Sequence, residues 1–172
     1  MSNKSRNTRL IGIVLVFIAS AIVTGLATLT PMSHDDANVI FDQLNQSVNS
    51  MKESGSVVQG IFGNNLLITV IMFMPIIGPI LGFYIFYNTG AVIGAASIVH
   101  GFNPMAVFIS LWLTPIAWLE FAAYSTAIVA SLWLTWRMFH GDFRHELVNT
   151  SKFLSVCTLI LLFGAIIEAM MI

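Results

Sequence analysis

The stretch TPIAWLEFAAYSTAIVASLW, residues 114–133, carries a single charged side chain, that of Glu120. No other Asp, Glu, Lys or Arg occurs between Ser54 and Trp136. A carboxylate at bilayer depth costs several kcal/mol unless it is protonated or partnered, so a residue of this kind indicates a buried polar contact or a function. The stretch therefore predicts a membrane helix and makes Glu120 the first residue to explain.

The composition of the whole chain extends this prediction. Hydrophobic residues make up 57% of the 172 residues and charged residues 9%. Together with several apolar runs near or above 20 residues, these values exclude a soluble globule and predict an all-α, polytopic helical membrane protein. The net charge of −1 and the lack of a basic patch argue against nucleic acid as a partner. The lone cysteine, Cys157, excludes an intrachain disulfide.

The N-terminal segment divides into two parts. Residues 1–9 contain Lys4, Arg6 and Arg9, whereas residues 10–30 are almost entirely apolar. The apolar run is too long for the core of a signal peptide, so residues 10–30 are predicted to be an uncleaved membrane anchor helix. Positive residues concentrate on the cytoplasmic side of membrane helices. Residues 1–9 are therefore predicted to lie in the cytoplasm, as the N-terminus of a multi-pass protein of the cell membrane.

Residues 31–60 form the one sizeable polar connection, with four acidic residues and one lysine. Apolar residues recur at helical spacing from Ala37 to Met51, and Ser33 followed by Asp36 is a plausible N-terminal capping pair. We therefore expect an extracytoplasmic amphipathic helix. Such a helix lies on the membrane, roofs the bundle or docks a partner.

Residues 61–172 are predicted to be the membrane core, although the lengths of their apolar runs do not match simple crossings. The runs are Ile61–Tyr87, Gly90–Val99, Met105–Trp136 and Phe153–Ile172. The second is too short to cross a hydrocarbon layer of about 30 Å, and the third is too long for one straight crossing. Broken or re-entrant helices are therefore expected, and the segment from Leu111 to Pro115 is predicted to be a bend, a half-helix or the end of a re-entrant piece.

The positive residues help to count the crossings. Arg137, Arg144 and Lys152 form a second basic cluster, which the positive-inside tendency places on the same side as the N-terminus. An even number of crossings then lies between the two clusters, which favours five crossings in total. Six crossings, with the second cluster outside, are the alternative.

Several polar residues are candidate partners for Glu120. Asn64 and Asn65 stand near the start of the apolar run Ile61–Tyr87, where they either cap a helix or extend toward the carboxyl group. Asn88 and His100 are further candidates, and a kink at Pro115 would leave free backbone groups nearby. The predicted intramembrane polar centre therefore comprises Asn64, Asn65, Asn88 and Glu120. Its two interpretations are a structural hydrogen-bonded core and a site that handles protons or cations.

Glycines and a second acid complete the set of candidate residues. Asn88-Thr89-Gly90 indicates a turn, and Gly90 with Gly94 forms a small-xxx-small pair that permits close helix contact. Glu168, near the C-terminus, is expected to reach the membrane interface. Signatures of phosphate loops, metal sites and catalytic triads are missing from the sequence, so no catalytic residue, metal or cofactor is predicted and an enzyme is not expected.

Four motifs in order resemble the stage II sporulation protein M family, also known as SpoIIM or DUF95. They are IFGNNLL at 61–67, YNTGAVIGA at 87–95, TPIAWLEFAA at 114–123 and IIEAMM at 166–171. The family has an Asn-Asn pair at the head of a membrane helix, a glycine-rich turn, a proline followed by Glu, and a late Ile-Glu-Ala. The residues that match these features are Asn64, Asn65, Asn88, Gly90, Gly94, Pro115, Glu120 and Glu168. The chain departs from the pattern at Ile116 and Ala117, where the family usually has His and Gly, and at Thr89, which separates Asn88 from Gly90.

The resemblance implies a role in assembly. Members in endospore-forming bacteria act as membrane scaffolds that localise cell-wall-degrading partners. The expectation is therefore a non-catalytic integral membrane scaffold or small subunit of a membrane complex, in contact with lipid and with other membrane proteins or copies of itself. Two alternatives are a transporter or channel-like component with Glu120 and the Asn residues in a polar pathway, and an accessory subunit of a membrane-bound enzyme.

Overall fold

A computed structural model describes residues 3–171, which form seven α-helices and no strand, as the all-α prediction requires. Residues 1, 2 and 172, at the ends of the predicted N-terminal segment and membrane core, lie outside the described residues. The helices are α1 (Asn3–Ala27), α2 (His34–Glu53), α3 (Val57–Met72), α4 (Ile77–His100), α5 (Pro104–Leu111), α6 (Pro115–His140) and α7 (Phe143–Ala169).

Four of these helices are long and apolar enough to cross a membrane, namely α1 from Arg6 onward, α4, α6 and α7. The apolar helix α3 has 16 residues, or about 24 Å at 1.5 Å per residue, slightly less than a typical hydrocarbon core. Helix α5 has eight residues, about 12 Å, and is too short to cross. The prediction of a polytopic helical membrane protein with a half-helix before Pro115 is confirmed.

The contacts between helix ends define two ends of the bundle. Arg9 of α1 is ion-paired with Glu146 of α7, and the connection between α3 and α4 is bonded to the last turns of α6 through Ile76 and Thr135. We call this the Arg9 end. Helix α2 lies at the opposite end, which we call the α2 end. Helices α1, α3, α4, α6 and α7 therefore each run from one end to the other, in agreement with five crossings. The ion pair also brings the two basic clusters to the same end, contrary to the six-crossing alternative.

Helix α6 carries tryptophans near both of its ends. Trp118 and Trp136 are 53% and 57% exposed, and about five helical turns, or about 27 Å, separate them. Tryptophan favours the membrane interfaces, where its ring meets both apolar and polar surroundings. The spacing agrees with a helix that spans one hydrocarbon layer of about 30 Å.

Helix α6 is also the centre of the packing. It contacts α1, α3, α4 and α7, and small buried residues such as Ala123, Ala127 and Ala130 let those neighbours approach closely. Phe86 of α4 packs against Phe121 of α6, with ring centroids 4.8 Å apart. The lone Cys157 belongs to the same buried cluster.

The pair of glycines on α4 allows α1 to pack against it. A Cβ atom on Gly90 would collide with the carbonyl oxygen of Thr24, and one on Gly94 would lie 2.6 Å from the carbonyl oxygen of Thr28. The hydroxyl of Thr24 donates a hydrogen bond to the carbonyl oxygen of Phe86 at 3.1 Å. The small-xxx-small motif thus lies at a helix contact.

The predicted turn at Asn88-Thr89-Gly90 is wrong, because α4 continues without a break from Ile77 to His100. The glycine serves the contact with α1, and that packing outweighs the local turn tendency. The break in the apolar run comes instead at residues 73–76, where Pro75 lacks the N–H group that a helix needs. Ile76 has a positive φ of 69°, and its N–H donates to the hydroxyl of Thr135 at 2.7 Å.

The kink considered at Pro115 does not form, whereas the predicted break in the apolar run at this point does. Pro115 is the first residue of α6, where its missing N–H costs no hydrogen bond. The apolar run that begins at Met105 is divided because α5 ends at Leu111 and a short turn precedes Pro115. Asn103 caps α5, with its side-chain oxygen accepting hydrogen bonds from the N–H groups of Met105 and Ala106.

Helix α2 forms where the amphipathic pattern predicted it. The hydroxyl of Ser33 accepts a hydrogen bond from the N–H of Asp36 at 3.1 Å, so the capping pair is confirmed. The helix packs on α4 and α3, with Ala37 fully buried and Phe41 in edge-to-face contact with His100 at 4.9 Å. Helix α2 therefore roofs one end of the bundle.

Candidate functional site

The carboxyl group of Glu120 has a partner on α3. The side-chain amide of Asn65 donates a hydrogen bond to Oε1 of Glu120, with 2.6 Å between the two atoms. Asn64 donates in turn to the side-chain oxygen of Asn65 at 3.3 Å. This chain of bonds links α3 to α6, and it is the kind of contact expected for a carboxyl group that hydrocarbon cannot solvate.

Both asparagines lie inside α3. The helix begins at Val57, so Asn64 and Asn65 are in its second and third turns and the capping interpretation is wrong. Adjacent residues point about 100° apart on a helix. Asn65 is consequently buried against the bundle, whereas Asn64 is exposed. The first asparagine supports the second, and the second contacts Glu120.

A second carboxyl group converges on the same place. Glu168, in the last turn of α7, lines a cavity of about 420 Å³ together with Glu120, Asn65 and Thr89. Helix α2 lines one side of this cavity, mostly with apolar side chains, among them Met51. We call this space the polar cavity. The sequence predicted only that Glu168 reaches the membrane interface. It did not predict that Glu168 and Glu120 line the same cavity.

A second cavity adjoins the polar one. It has a volume of about 300 Å³ and shares Thr89, Glu120 and Glu168 with its neighbour. Its remaining walls are mostly apolar and include Phe108 and Trp112 of the α5 region. We call this space the apolar cavity. The two carboxyl groups thus stand where a polar space and an apolar space meet.

Two of the predicted partners of Glu120 lie elsewhere. Asn88 lines neither cavity, whereas its neighbour Thr89 lines both, since one step along α4 turns the side chain by about 100°. His100 lies at the end of α4, between the rings of Phe41 and Phe102. Of the predicted polar centre, the structure brings Asn64, Asn65 and Glu120 together and leaves Asn88 out.

The bundle is filled below the carboxyl groups. Phe121 follows Glu120 directly and contacts the rings of Phe86 and Trp112. Deeper still, Met72 and Ile128 have no exposed surface. The site therefore lies near the α2 end and is separated from the Arg9 end by packed aromatic and aliphatic side chains.

A buried ion pair at the Arg9 end did not emerge from the sequence. The guanidinium of Arg9 donates to both carboxylate oxygens of Glu146 at 2.7 and 2.6 Å. Both side chains are almost fully buried, and the guanidinium lies over the ring of Trp133, 4.7 Å from its centroid. The sequence contained one signal for this pair. Glu146 lies within the second basic cluster, and Arg9 lies at the start of the anchor helix, on the side where both clusters were predicted.

The described side chains around Glu120 do not form a metal site, but they can hydrogen-bond a ligand. Among residues 3–171, no three His, Cys, Asp or Glu side chains are grouped as a metal site would need. Two carboxyl groups, two amides and a threonine hydroxyl offer acceptors and donors to a ligand at the α2 end. One bond among these groups, from the amide of Asn65 to the carboxyl of Glu120, also joins α3 to α6.

Comparison with protein families matched residues 13–171 to the family described as stage II sporulation protein M. The matched range includes all four motifs, both carboxyl groups of the site and Glu146. Comparisons with curated proteins and with solved structures gave no match.

Proposed function

This chain belongs to the stage II sporulation protein M family, and we propose that it is a non-catalytic membrane scaffold. In this proposal the chain is a small subunit that holds another protein at the membrane. The partner contacts the exposed face of α2. The proposal rests on one observation. One face of α2 is packed against the bundle, and the opposite face is exposed.

The fixed side of α2 is apolar and well packed. Ala37 is fully buried, Phe41 contacts His100, and the side chain of Met51 lies so close to Gly60 that even a Cβ atom there would collide with it. These contacts hold α2 in one orientation. A rigid helix loses little conformational entropy when a partner binds to it.

The open side of α2 carries several acidic residues and one exposed apolar side chain, Val39. Asp35, Asp42 and Glu53 are exposed, and segment 31–60 as a whole has four acidic residues against one lysine. Complementary charge steers encounter and sets specificity at protein interfaces. We therefore propose a partner whose contact surface is basic.

The proposed orientation places the Arg9 end in the cytoplasm and α2 outside the cell membrane. Its support is the charge distribution, because Arg6 and Arg9 share one end of the bundle with Arg137 and Arg144. Positive residues favour the cytoplasmic side. The partner would then be an extracytoplasmic protein or the outer part of a membrane protein.

The packed interior supports assembly over transport. A polar pathway through one copy of the chain would have to pass the rings of Phe86 and Phe121 and then the buried Met72 and Ile128. It would end at the buried ion pair of Arg9 and Glu146. The carboxyl of Glu120 accordingly serves the fold through its bond to Asn65.

Site-specific photo-crosslinking in native membranes tests the proposal. A photoreactive amino acid replaces Asn49 on the exposed face of α2, and the control replaces Leu15, which is 62% exposed on the lipid side of α1. We expect one discrete protein adduct from position 49 and none from position 15. The adduct should weaken in an Asp42→Lys, Glu53→Lys variant and persist in the matched Asp42→Glu, Glu53→Asp variant. An unchanged adduct in the charge-reversed variant, or no adduct from position 49, would overturn the proposal.

A further inference from the structure

We propose that the two joined cavities bind a lipid-like amphiphile that carries a primary amine head group and an apolar chain. The amine would lie between Glu120 and Glu168, and the chain would extend through the apolar cavity into the bilayer. This inference does not depend on the scaffold proposal, because it concerns the interior of the bundle and not the exposed face of α2.

The carboxyl groups determine the head group. Glu120 and Glu168 are the charged residues that line both cavities. An ammonium placed between them is attracted by both, whereas a phosphate or carboxylate head would be repelled. An ammonium also has three N–H donors, and the hydroxyl of Thr89 adds an acceptor to those of the carboxyl groups.

The path from the bilayer determines the tail. A groove of about 550 Å³ on the lipid side of the bundle is lined by α1 and α5, and it shares Phe108 and Trp112 with the apolar cavity. Ile22 and Leu26, on the other wall of the groove, are more than half exposed. Phe108 and Trp112 thus stand between the groove and the apolar cavity. The two carboxyl groups stand where the apolar and the polar cavity meet.

The short helix α5 forms part of the wall that the groove and the apolar cavity share. A helix of full length beside α1 would cover the groove, but α5 has only eight residues. Gly25 contributes as well, because a Cβ atom there would already lie 3.0 Å from the ring of Phe108. Larger side chains at this point would press on Phe108 and narrow the groove.

The roof of the polar cavity indicates that the ligand enters from the membrane. Four residues of α2 line the cavity on the side away from the bilayer, and three of them are apolar: Leu44, Ser47, Val48 and Met51. The cavity volumes of about 300 and 420 Å³ are in the range of small-molecule sites. A water-soluble amine would gain contact with the carboxyl groups but none with the apolar walls.

Photo-labelling of the purified chain in phosphatidylcholine nanodiscs tests the inference. The probe is an eighteen-carbon primary amine with a diazirine in its chain, and the comparison probes carry the same chain with a hydroxyl or a carboxylate head. We expect saturable labelling of peptides that contain Phe108 or Trp112 by the amine probe. The other two probes should label them at least about tenfold more weakly, the change that follows from losing 1.4 kcal/mol of contact free energy.

Two variants, a control variant and one competitor make the test specific. Glu168→Gln removes a charge from a residue that does not bond to Asn65, and it should lower labelling about tenfold. Asp142→Asn removes an exposed charge at the Arg9 end, so it is the matched control and should leave labelling unchanged. Ala117→Phe should block labelling by filling the apolar cavity, which Ala117 lines. Thermal unfolding verifies that each variant is folded. Equal labelling by all three probes, full labelling of folded Glu168→Gln, or displacement by equimolar butylamine would overturn the proposal.

Discussion

Arg9 and Glu146 form a doubly hydrogen-bonded ion pair that joins the second turn of α1 to the first turn of α7, across 137 residues of sequence. Both side chains are nearly inaccessible, with 4% and 2% exposure. The pair fixes the two basic clusters at one end of the bundle, and much of the proposed topology depends on it.

Removal of one partner from this pair should be strongly destabilising. Glu146→Gln leaves the guanidinium of Arg9 buried without its counter-charge, a change that costs about 3–5 kcal/mol. Thermal unfolding in detergent should therefore show a large fall in the midpoint. Arg137→Gln is the control, because its ion pair with Asp142 is long at 3.9 Å and more exposed, and it should change stability by less than about 1 kcal/mol. Equal effects of the two variants would contradict this account of the Arg9 end.

The bond between Asn65 and Glu120 predicts a difference between two substitutions of the glutamate. Glu120→Gln keeps an oxygen that accepts from the amide of Asn65 and should be tolerated. Glu120→Leu leaves that buried amide without an acceptor and should cost about 1–3 kcal/mol. Unfolding midpoints of the two variants in the same detergent provide the comparison. A wild-type midpoint for Glu120→Leu would show that the bond does not stabilise the fold.

The contact of Gly90 with α1 predicts the effect of adding one methyl group. Gly90→Ala places a Cβ atom against the carbonyl oxygen of Thr24, so α1 and α4 must separate. Overpacking of this kind costs about 1–3 kcal/mol. Gly63→Ala is the matched control in α3, where no atom lies within 4 Å of the added Cβ, and it should gain up to about 1 kcal/mol from helix propensity. Stabilisation by Gly90→Ala would contradict the close packing.

The orientation is tested by labelling single cysteines from outside the cell. In a Cys157→Ser background, an impermeant thiol reagent should modify Ser47→Cys on α2 and should spare Asp142→Cys at the Arg9 end. Both positions are exposed, so accessibility within the protein does not distinguish them. Labelling at 142 but not at 47 in intact cells would reverse the proposed orientation.

The sequence predicted those features best for which the local chemistry allows only one arrangement. Hydrocarbon offers Glu120 no partner, so a contact with a nearby asparagine was expected, and the capping chemistry of Ser33 was equally local. The turn at Asn88 was mispredicted because Gly90 is needed at the contact with α1, which local sequence cannot reveal. Proline at 115 was misread because the same residue kinks a helix from within and starts one at its first position.

The convergence of distant residues was beyond prediction from the sequence. Glu168 meets Glu120 because α7 returns to the α2 end, and Arg9 meets Glu146 because α1 and α7 begin at the same end. The positive-inside pattern indicated which ends share a side, but it contains no information on which helices are neighbours. A helix packing arrangement is needed before such pairs can be identified.

The central claim is that this chain works by holding a different protein on the exposed face of α2. The most direct measurement is the mass and composition of the complex extracted from native membranes in mild detergent, by native mass spectrometry. We predict a second protein at fixed stoichiometry, lost from the Asp42→Lys, Glu53→Lys variant and retained in the Asp42→Glu, Glu53→Asp variant. The chain found alone or only with copies of itself would contradict the claim.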